Sequence, residues 1–357
     1  MLVTWVICTI FNIFIAMALG EMCSLHPVVG SIYQWSAAFS PSEAWAPVFS
    51  YTCGWLYLLG CIAQDCALAV GTCQSLSAIF MLISNGNSFI TVQMEVILSL
   101  IMLVVWGIKN QMSLLNQGIF ENISVIIQLL SFLIMTSVII LFSPQLSDKD
   151  FVFSSYSNLT GFPDGQLGTP YVSVIGITMA VYCLSAYESG ATLSEETVKG
   201  SVAAPKGMVQ AVFYSGMAGF IFIIALLFAM RDNIDGILAG PTAMPIVNIF
   251  VLAFTTPTDN GTSQETPLAA LLLTILLFLN MFANGLSHMT ITVRIAYAMA
   301  RDNAVPFSFL MGRINPVTKI PDRAVVGVFI VDSLVCLLPL VSASAFAAVT
   351  SLTSIGL

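Results

Sequence analysis

Apolar residues occur along this chain in long runs, separated by short segments rich in Gly, Pro and charged residues. A helix of about 20 apolar residues is long enough to cross the hydrocarbon core of a bilayer. The pattern predicts eight such spans and the start of a ninth, at residues 1–19, 46–82, 88–107, 118–142, 169–187, 208–230, 267–298, 324–341 and 345–357. We therefore expect a single all-α, multi-pass transmembrane domain over residues 1–357.

The composition supports a membrane protein and excludes several other classes. Hydrophobic residues make up 58% of the chain and charged residues 8%, whereas about a quarter of the residues in an average globular domain are charged. No basic cluster with interleaved aromatics predicts nucleic-acid binding, and no hydrophilic segment is large enough for an enzyme. The spacing of Cys, His and carboxylates predicts neither a metal site nor a cofactor.

The positive charges predict an orientation, because short cytoplasmic loops are enriched in Lys and Arg. If the first span runs from outside to inside, eight of them fall on the cytoplasmic side and only Lys149 and Arg231 fall outside. The eight are Lys109, Lys199, Lys206, Arg294, Arg301, Arg313, Lys319 and Arg323. Arg294, Arg301 and Asp302 could form ion pairs there that close an inner gate, but we interpret them as a solvated inner face.

One predicted span is interrupted by polar residues. The sequence YCLSAYESG at residues 182–190 places Ser185, Glu188 and Ser189 in an otherwise apolar run. Such an interruption persists in a bilayer only where it lines a cavity or is buried in protein. We therefore predict a broken helix, the feature with which secondary transporters bind substrates and ions.

Ionisable residues inside the spans are candidates for function, because a charge in the membrane is costly without a partner or a cavity. Glu188, Asp65 and His288 are our candidates for proton coupling. Glu188 could instead cap the second half-helix, and His288 could simply hydrogen-bond between helices. We interpret Glu95 and Asp332 as interhelical hydrogen-bond partners.

Three sequence motifs occur in one order along the chain. They are GEMCSLHPVVGSIYQWSAAF at residues 20–39, AYESGATLSEE at residues 186–196 and RIAYAMARDNAVPFS at residues 294–308. In the residues of these motifs and in their spacing, the chain resembles permeases of the amino acid-polyamine-organocation superfamily. It is most similar to the fungal-type branch that includes GABA permeases and choline transporters.

The resemblance implies an inverted-repeat secondary transporter fold with discontinuous helices. It further implies that the chain runs from the family's second helix to the start of its tenth, and so lacks the first helix and the C-terminal helices. The substrate would bind at the break in the family's sixth helix, with Tyr182 closing over it. The implied substrate-binding residues are Tyr182, Ser185, Ala186, Tyr187, Glu188 and Ser189.

We therefore expect transport of amino acids or similar small zwitterions by alternating access, with H+ symport. His288 lies where sodium-coupled relatives place hydroxyl ligands, which favours H+ over Na+. The alternatives are a choline or polyamine transporter, and a non-transporting fragment or sensor-like membrane protein. The expected partners are an amino acid or amine and the lipid bilayer, in the plasma membrane, the vacuolar membrane or another internal membrane.

Overall fold

The computed structural model describes residues 2–84, 90–154, 158, 161, 168–255, 268–316 and 318–356. The first half of the chain forms α1 (Leu2–Leu25), α2 (Ser31–Ala38), α3 (Ala46–Ile83), α4 (Val92–Asn110), α5 (Leu114–Phe142), α6 (Lys149–Ser154), α7 (Gly168–Cys183) and α8 (Ser189–Thr192), followed by a 3-10 turn at Ser194–Glu196. The second half forms α9 (Gly200–Ala229), α10 (Ile234–Leu238), α11 (Pro245–Phe254), α12 (Leu268–Arg301), α13 (Ser308–Met311), α14 (Asp322–Cys336), α15 (Leu338–Val341), α16 (Ala343–Ser351) and α17 (Thr353–Gly356).

Seven helical segments in the described ranges are long and apolar enough to cross a membrane. They are α1, α3, α4, α5, α9, α12 and the segment Asp322–Val341. This confirms the prediction of an all-α integral membrane protein. Residues 1, 88, 89, 267 and 357 of the predicted spans lie outside the described residues.

Two predicted spans form shorter helices than a full crossing requires. The segment predicted at 169–187 is apolar and helical at Tyr171–Cys183, and the one predicted from 345 lies within Ala343–Gly356. A third, predicted at 324–341, is divided between α14 and α15 at Leu337. Pro339 follows this division, and proline both lacks a backbone N–H and clashes with the carbonyl four residues earlier.

Helix packing depends on close approaches at small residues. In the pair α1 and α9, the indole Nε1 of Trp5 donates to the backbone carbonyl of Gly216 at 2.9 Å. Gly285 of α12 lies so near Trp106 of α4 that an added Cβ would be 2.1 Å from Cζ2 of the indole. Small residues allow helices in membranes to approach in this way, and they bring the polar faces of these helices together.

The outer faces of the helices are apolar. Phe11 of α1 is 64% exposed and Leu141 of α5 is 72% exposed. Water would disfavour so much exposed apolar surface, whereas lipid tails would cover it. The polar residues described next lie on the inside of this apolar shell.

Candidate functional site

The predicted interruption of the helix is present between α7 and α8. Helix α7 ends at Cys183, α8 begins at Ser189, and Ala186 between them has a left-handed backbone with φ of 68°. In the described part of the chain, no hydrogen bond reaches the backbone carbonyls of Leu184 and Ser185. The C-terminal end of a helix carries partial negative charge, and these two carbonyls add acceptors without a partner among the described residues next to it.

Glu188 lies at the end of this interruption and is only 2% exposed. It occupies the N-cap position of α8, but its side chain makes no capping hydrogen bond. Its Oε1 has no hydrogen-bond partner among the described residues, and the hydroxyl of Tyr57 on α3 lies beside the carboxyl group. Glu188 therefore has free acceptor capacity for a ligand.

Asp65 and His288, which the sequence suggested separately, form a buried pair. Nδ1 of His288 on α12 lies 2.7 Å from Oδ1 of Asp65 on α3, although the residues are 223 positions apart. Asp65 is fully buried and His288 is 6% exposed. Oδ2 of Asp65 and Nε2 of His288 have no partner among the described residues. Each group therefore has one atom without a hydrogen-bond partner in the described part of the chain.

Asp332 on α14 was wrongly interpreted as an interhelical hydrogen-bond partner. It is fully buried, and both of its carboxyl oxygens lack a hydrogen-bond partner among the described residues. Only its backbone carbonyl is engaged, by Sγ of Cys66 at 3.5 Å. Asp332 lies close enough to Asp65 for electrostatic interaction, as Glu188 does to His288. The signal for Asp332 was an acid within the apolar run VDSLVC.

The two tyrosines of the predicted substrate site contact different helices. The hydroxyl of Tyr182 donates to Oε1 of Gln64 on α3 at 2.9 Å, next to Asp65 in sequence. The hydroxyl of Tyr187 donates to Oδ1 of Asn12 on α1 at 3.4 Å. Both bonds tie the broken segment to neighbouring helices, Tyr182 to α3 and Tyr187 to α1.

The two serines of the predicted site take part in local hydrogen bonds, Ser185 through its hydroxyl and Ser189 through its backbone carbonyl. Oγ of Ser185 donates to the carbonyl of Tyr182 at 2.8 Å. The carbonyl of Ser189 accepts from the hydroxyl of Thr192 at 2.8 Å. These bonds lie at the two ends of the interruption, and Glu188 is the one carboxylate between them.

The interpretation of Arg294 as part of a solvated face was wrong, whereas its partner Glu196 is exposed. Nε and Nη2 of Arg294 donate to the two carboxylate oxygens of Glu196 at 3.1 and 2.9 Å, and Nη2 also donates to Gln117 at 3.2 Å. Arg294 is only 6% exposed. The residue is enclosed because α12 and α5 pack against each other around it.

A second ionic cluster, the Lys109–Glu121 cluster, was not found from the sequence. Lys109 at the end of α4 forms an ion pair with Glu121 of α5, and it donates to the hydroxyl of Thr290 at 2.8 Å. The hydroxyl of Ser287, adjacent to His288 on α12, also donates to Glu121. Glu121, the only charged residue between 114 and 142, was the available signal.

One contact of the motif at residues 20–39 lies outside the spans. The hydroxyl of Tyr33 on α2 donates to Oδ2 of Asp302 at 2.8 Å. Burial, together with this hydrogen bond to the carboxylate, raises the pKa of Tyr33 well above its usual range. Tyr33 therefore remains a neutral donor and links α2 to the end of α12.

These features define an integral multi-pass membrane transporter, with a broken helix beside buried ionisable groups. Among the described residues, no group of three or more His, Cys, Asp or Glu side chains could hold a metal ion. The family described as amino acid permease matches residues 1–357, and the chain belongs to this family. It is thus a permease of the amino acid-polyamine-organocation superfamily rather than an enzyme.

Curated relatives are similar over nearly the whole chain. The amino-acid permease BAT1 of Arabidopsis thaliana is 27% identical over 99% of this chain and 68% of its own length. The BAT1 homolog of Oryza sativa subsp. japonica is 25% identical, over 99% of this chain and 67% of its own. The choline transporter of Saccharomyces cerevisiae is 24% identical, over 96% of this chain and 58% of its own.

Proposed function

We propose that this permease moves amino acids or similar small zwitterions across the membrane in symport with protons. The observation that carries the proposal is the buried Asp65–His288 pair, which lies beside the interruption that contains Glu188. Secondary transporters hold substrate and coupling ion together at such broken helices. The adjacency of the two groups supports a shared substrate and proton site.

The substrate ammonium would lie between the carbonyls of Leu184 and Ser185 and the carboxylate of Glu188. The two carbonyls and Oε1 of Glu188 are acceptors without a partner among the described residues. A buried carboxylate is costly unless a positive charge or a proton compensates it. An ammonium group would supply that charge, so substrate binding and the proton on Glu188 would be mutually exclusive.

The proton of symport would bind at the Asp65–His288 pair. The pair is nearly inaccessible to solvent, and one atom of each member is unpartnered. Asp332 adds a second carboxyl group near that of Asp65. Ionised carboxylates in one dry region repel each other. The two neighbouring carboxyl groups therefore require a proton or a cationic partner between them. That requirement supports protons as the coupling ion.

The test is uptake of a labelled amino acid mixture into proteoliposomes that contain this chain. We expect accumulation under an inward proton gradient and none under a sodium gradient of equal size. Liposomes without protein give the background. Uptake that requires sodium and ignores pH would contradict the proposal.

Replacing Glu188 with Gln is expected to weaken substrate binding. The amide keeps the shape but removes the charge that would face the ammonium group, and a hydrogen bond to a charged partner contributes about 1.5–3 kcal/mol. The measured KM for uptake should rise about tenfold or more. Glu43→Gln, the same change at an exposed position, is the matched control. Unchanged KM and unchanged pH dependence in Glu188→Gln would exclude this role.

Replacing Tyr182 with Phe removes the 2.9 Å hydrogen bond to Gln64 but keeps the ring. A neutral hydrogen bond contributes about 0.5–1.5 kcal/mol, so we expect KM to rise about two- to tenfold. Tyr182→Ala should raise it further, because the ring itself would close over the substrate. Tyr214→Phe on α9, where the side chain is 63% exposed, is the control. Normal affinity in Tyr182→Ala would rule out the gate.

Choline or polyamine transport is the second candidate. It is favoured by three tyrosines at the interruption, Tyr57, Tyr182 and Tyr187, because aromatic rings bind quaternary ammonium groups. A choline transporter is also among the relatives. Unlabelled choline and putrescine, added as competitors in the uptake assay, separate the candidates. Inhibition by these amines but not by amino acids would favour the second.

A further inference from the structure

An apolar groove lies between α3, α12 and α14, apart from the Asp65–His288 pair. Its volume is about 710 Å³, within the range of about 300–1,000 Å³ that is common for small-molecule sites. Leu58 and Ile62 of α3 line one side, and Val326 and Ile330 of α14 line the other. Gln111, Asp322 and Arg323 are its only polar or charged lining residues among those described.

A polar cavity adjoins one end of this groove. It measures about 390 Å³ and is lined by Arg313, Ile314, Asn315, Pro316, Asp322 and Arg323. Asp322 and Arg323 line both spaces, so the two lie side by side as a depression with an apolar part and a charged end. The apolar part fits a hydrocarbon chain, and the charged end fits a charged group of the same molecule.

The charged end has unused binding capacity. Within the described part of the chain, the guanidinium groups of Arg313 and Arg323 make neither a hydrogen bond nor an ion pair. Asp322 accepts from Asn315 through Oδ2, while its buried Oδ1 has no partner. Two guanidinium groups without a partner among the described residues therefore line this cavity, beside the carboxylate of Asp322.

We propose that this depression binds one anionic aminophospholipid, with an acyl chain in the apolar groove and the headgroup at Arg313, Arg323 and Asp322. A phosphatidylserine headgroup carries two anionic groups and one ammonium, which match the two guanidinium groups and the carboxylate. Guanidinium groups bind phosphate and carboxylate through paired N–H donors. The charges complement each other group by group.

The position of the charged end is consistent with such a lipid. Arg313 and Arg323 belong to the positive set that the loop charges place on the cytoplasmic side. Anionic lipids are concentrated in the cytoplasmic leaflet, and basic pockets between transmembrane helices on that side bind lipid headgroups. Phe307 is 68% exposed at the rim of the groove and would contact the acyl region.

The test measures which lipids remain bound to the protein. The whole chain, stripped of lipid and reconstituted in nanodiscs of equal parts phosphatidylcholine, phosphatidylglycerol and phosphatidylserine, is extracted with mild detergent. Native mass spectrometry then counts the retained lipids. We expect one phosphatidylserine per chain, and a loss of about fivefold in retention for Arg313→Gln and for Arg323→Gln.

Two further variants separate a specific site from general attraction. Lys319→Gln removes a charge from the same loop at a residue that lines neither cavity, and should retain the lipid. Val331→Trp fills the groove at a position already 42% exposed, and should exclude the acyl chain without unfolding the protein. Glycerophosphoserine, which has the headgroup without acyl chains, should not displace the lipid.

Three results would overturn the proposal. Equal losses in Lys319→Gln and Arg323→Gln would mean that only diffuse charge attracts the lipid. Normal retention in Val331→Trp would mean that no acyl chain enters the groove. Equal retention of phosphatidylglycerol and phosphatidylserine would remove the role assigned to Asp322.

Discussion

Replacing Asp65 with Asn is expected to abolish accumulation driven by a proton gradient. The amide can still accept a hydrogen bond from His288, but it can neither be ionised nor stabilise an imidazolium ion. A hydrogen bond between charged partners contributes about 1.5–3 kcal/mol, so gradient-driven uptake should fall about tenfold or more. The measurement is initial uptake into proteoliposomes at imposed inward proton gradients of increasing size.

A second readout distinguishes loss of coupling from loss of folding. Exchange of labelled for unlabelled substrate without any gradient needs binding and movement but no proton accumulation, so it should persist in Asp65→Asn. Glu95→Gln is the matched control, because Glu95 is another acid inside a predicted span and forms no ion pair among the described residues. If Asp65→Asn accumulated substrate as the unmodified chain does, the pair would not be the proton site.

Replacing Arg294 with Lys is expected to destabilise the protein although the charge is kept. The ammonium group cannot make the two parallel hydrogen bonds to Glu196 or the additional bond to Gln117. Loss of hydrogen bonds to a charged partner would lower the free energy of unfolding by about 1.5–3 kcal/mol. Thermal unfolding in detergent, followed through the midpoint temperature, measures the change.

The control for this prediction is Arg301→Lys, at the last residue of α12. Arg301 and Asp302 form a 3.5 Å pair in which both side chains are about 40% exposed, and such surface pairs contribute about 0–1 kcal/mol. A double-mutant cycle with Glu196→Gln assigns the effect to the pair. Equal midpoint shifts in the Arg294 and Arg301 variants would show that the Arg294–Glu196 pair stabilises the protein no more than a surface pair does.

The broken helix could be predicted from the sequence because its signal is local. Ser185, Glu188 and Ser189 interrupt one apolar run, and the chain stops being helical at Cys183, two residues before the first of them. The burial cost of an isolated charge also identified Asp65 and His288 individually. Both signals depend on residues near each other in sequence, so no knowledge of tertiary contacts was needed.

The pairing of charged residues could not be predicted, because it depends on which helix faces contact each other. Lys109 and Arg294 seemed to be loop or end charges by the positive-inside rule, but helix packing encloses both. Asp332 was misinterpreted for the opposite reason: we assumed that a buried acid would have a hydrogen-bond partner, and its oxygens have none among the described residues. A periodicity argument gives the depth of a residue but not its neighbours.

Ser287 and His288 are consecutive residues of α12, yet they contact different helices. Ser287 bonds to Glu121 of α5, and His288 bonds to Asp65 of α3. Successive side chains on a helix are separated by about 100° of rotation and share one rigid backbone. Any rotation or sliding of α12 that separates Ser287 from Glu121 must therefore displace the imidazole as well, so the ionic cluster and the buried histidine can only change position together.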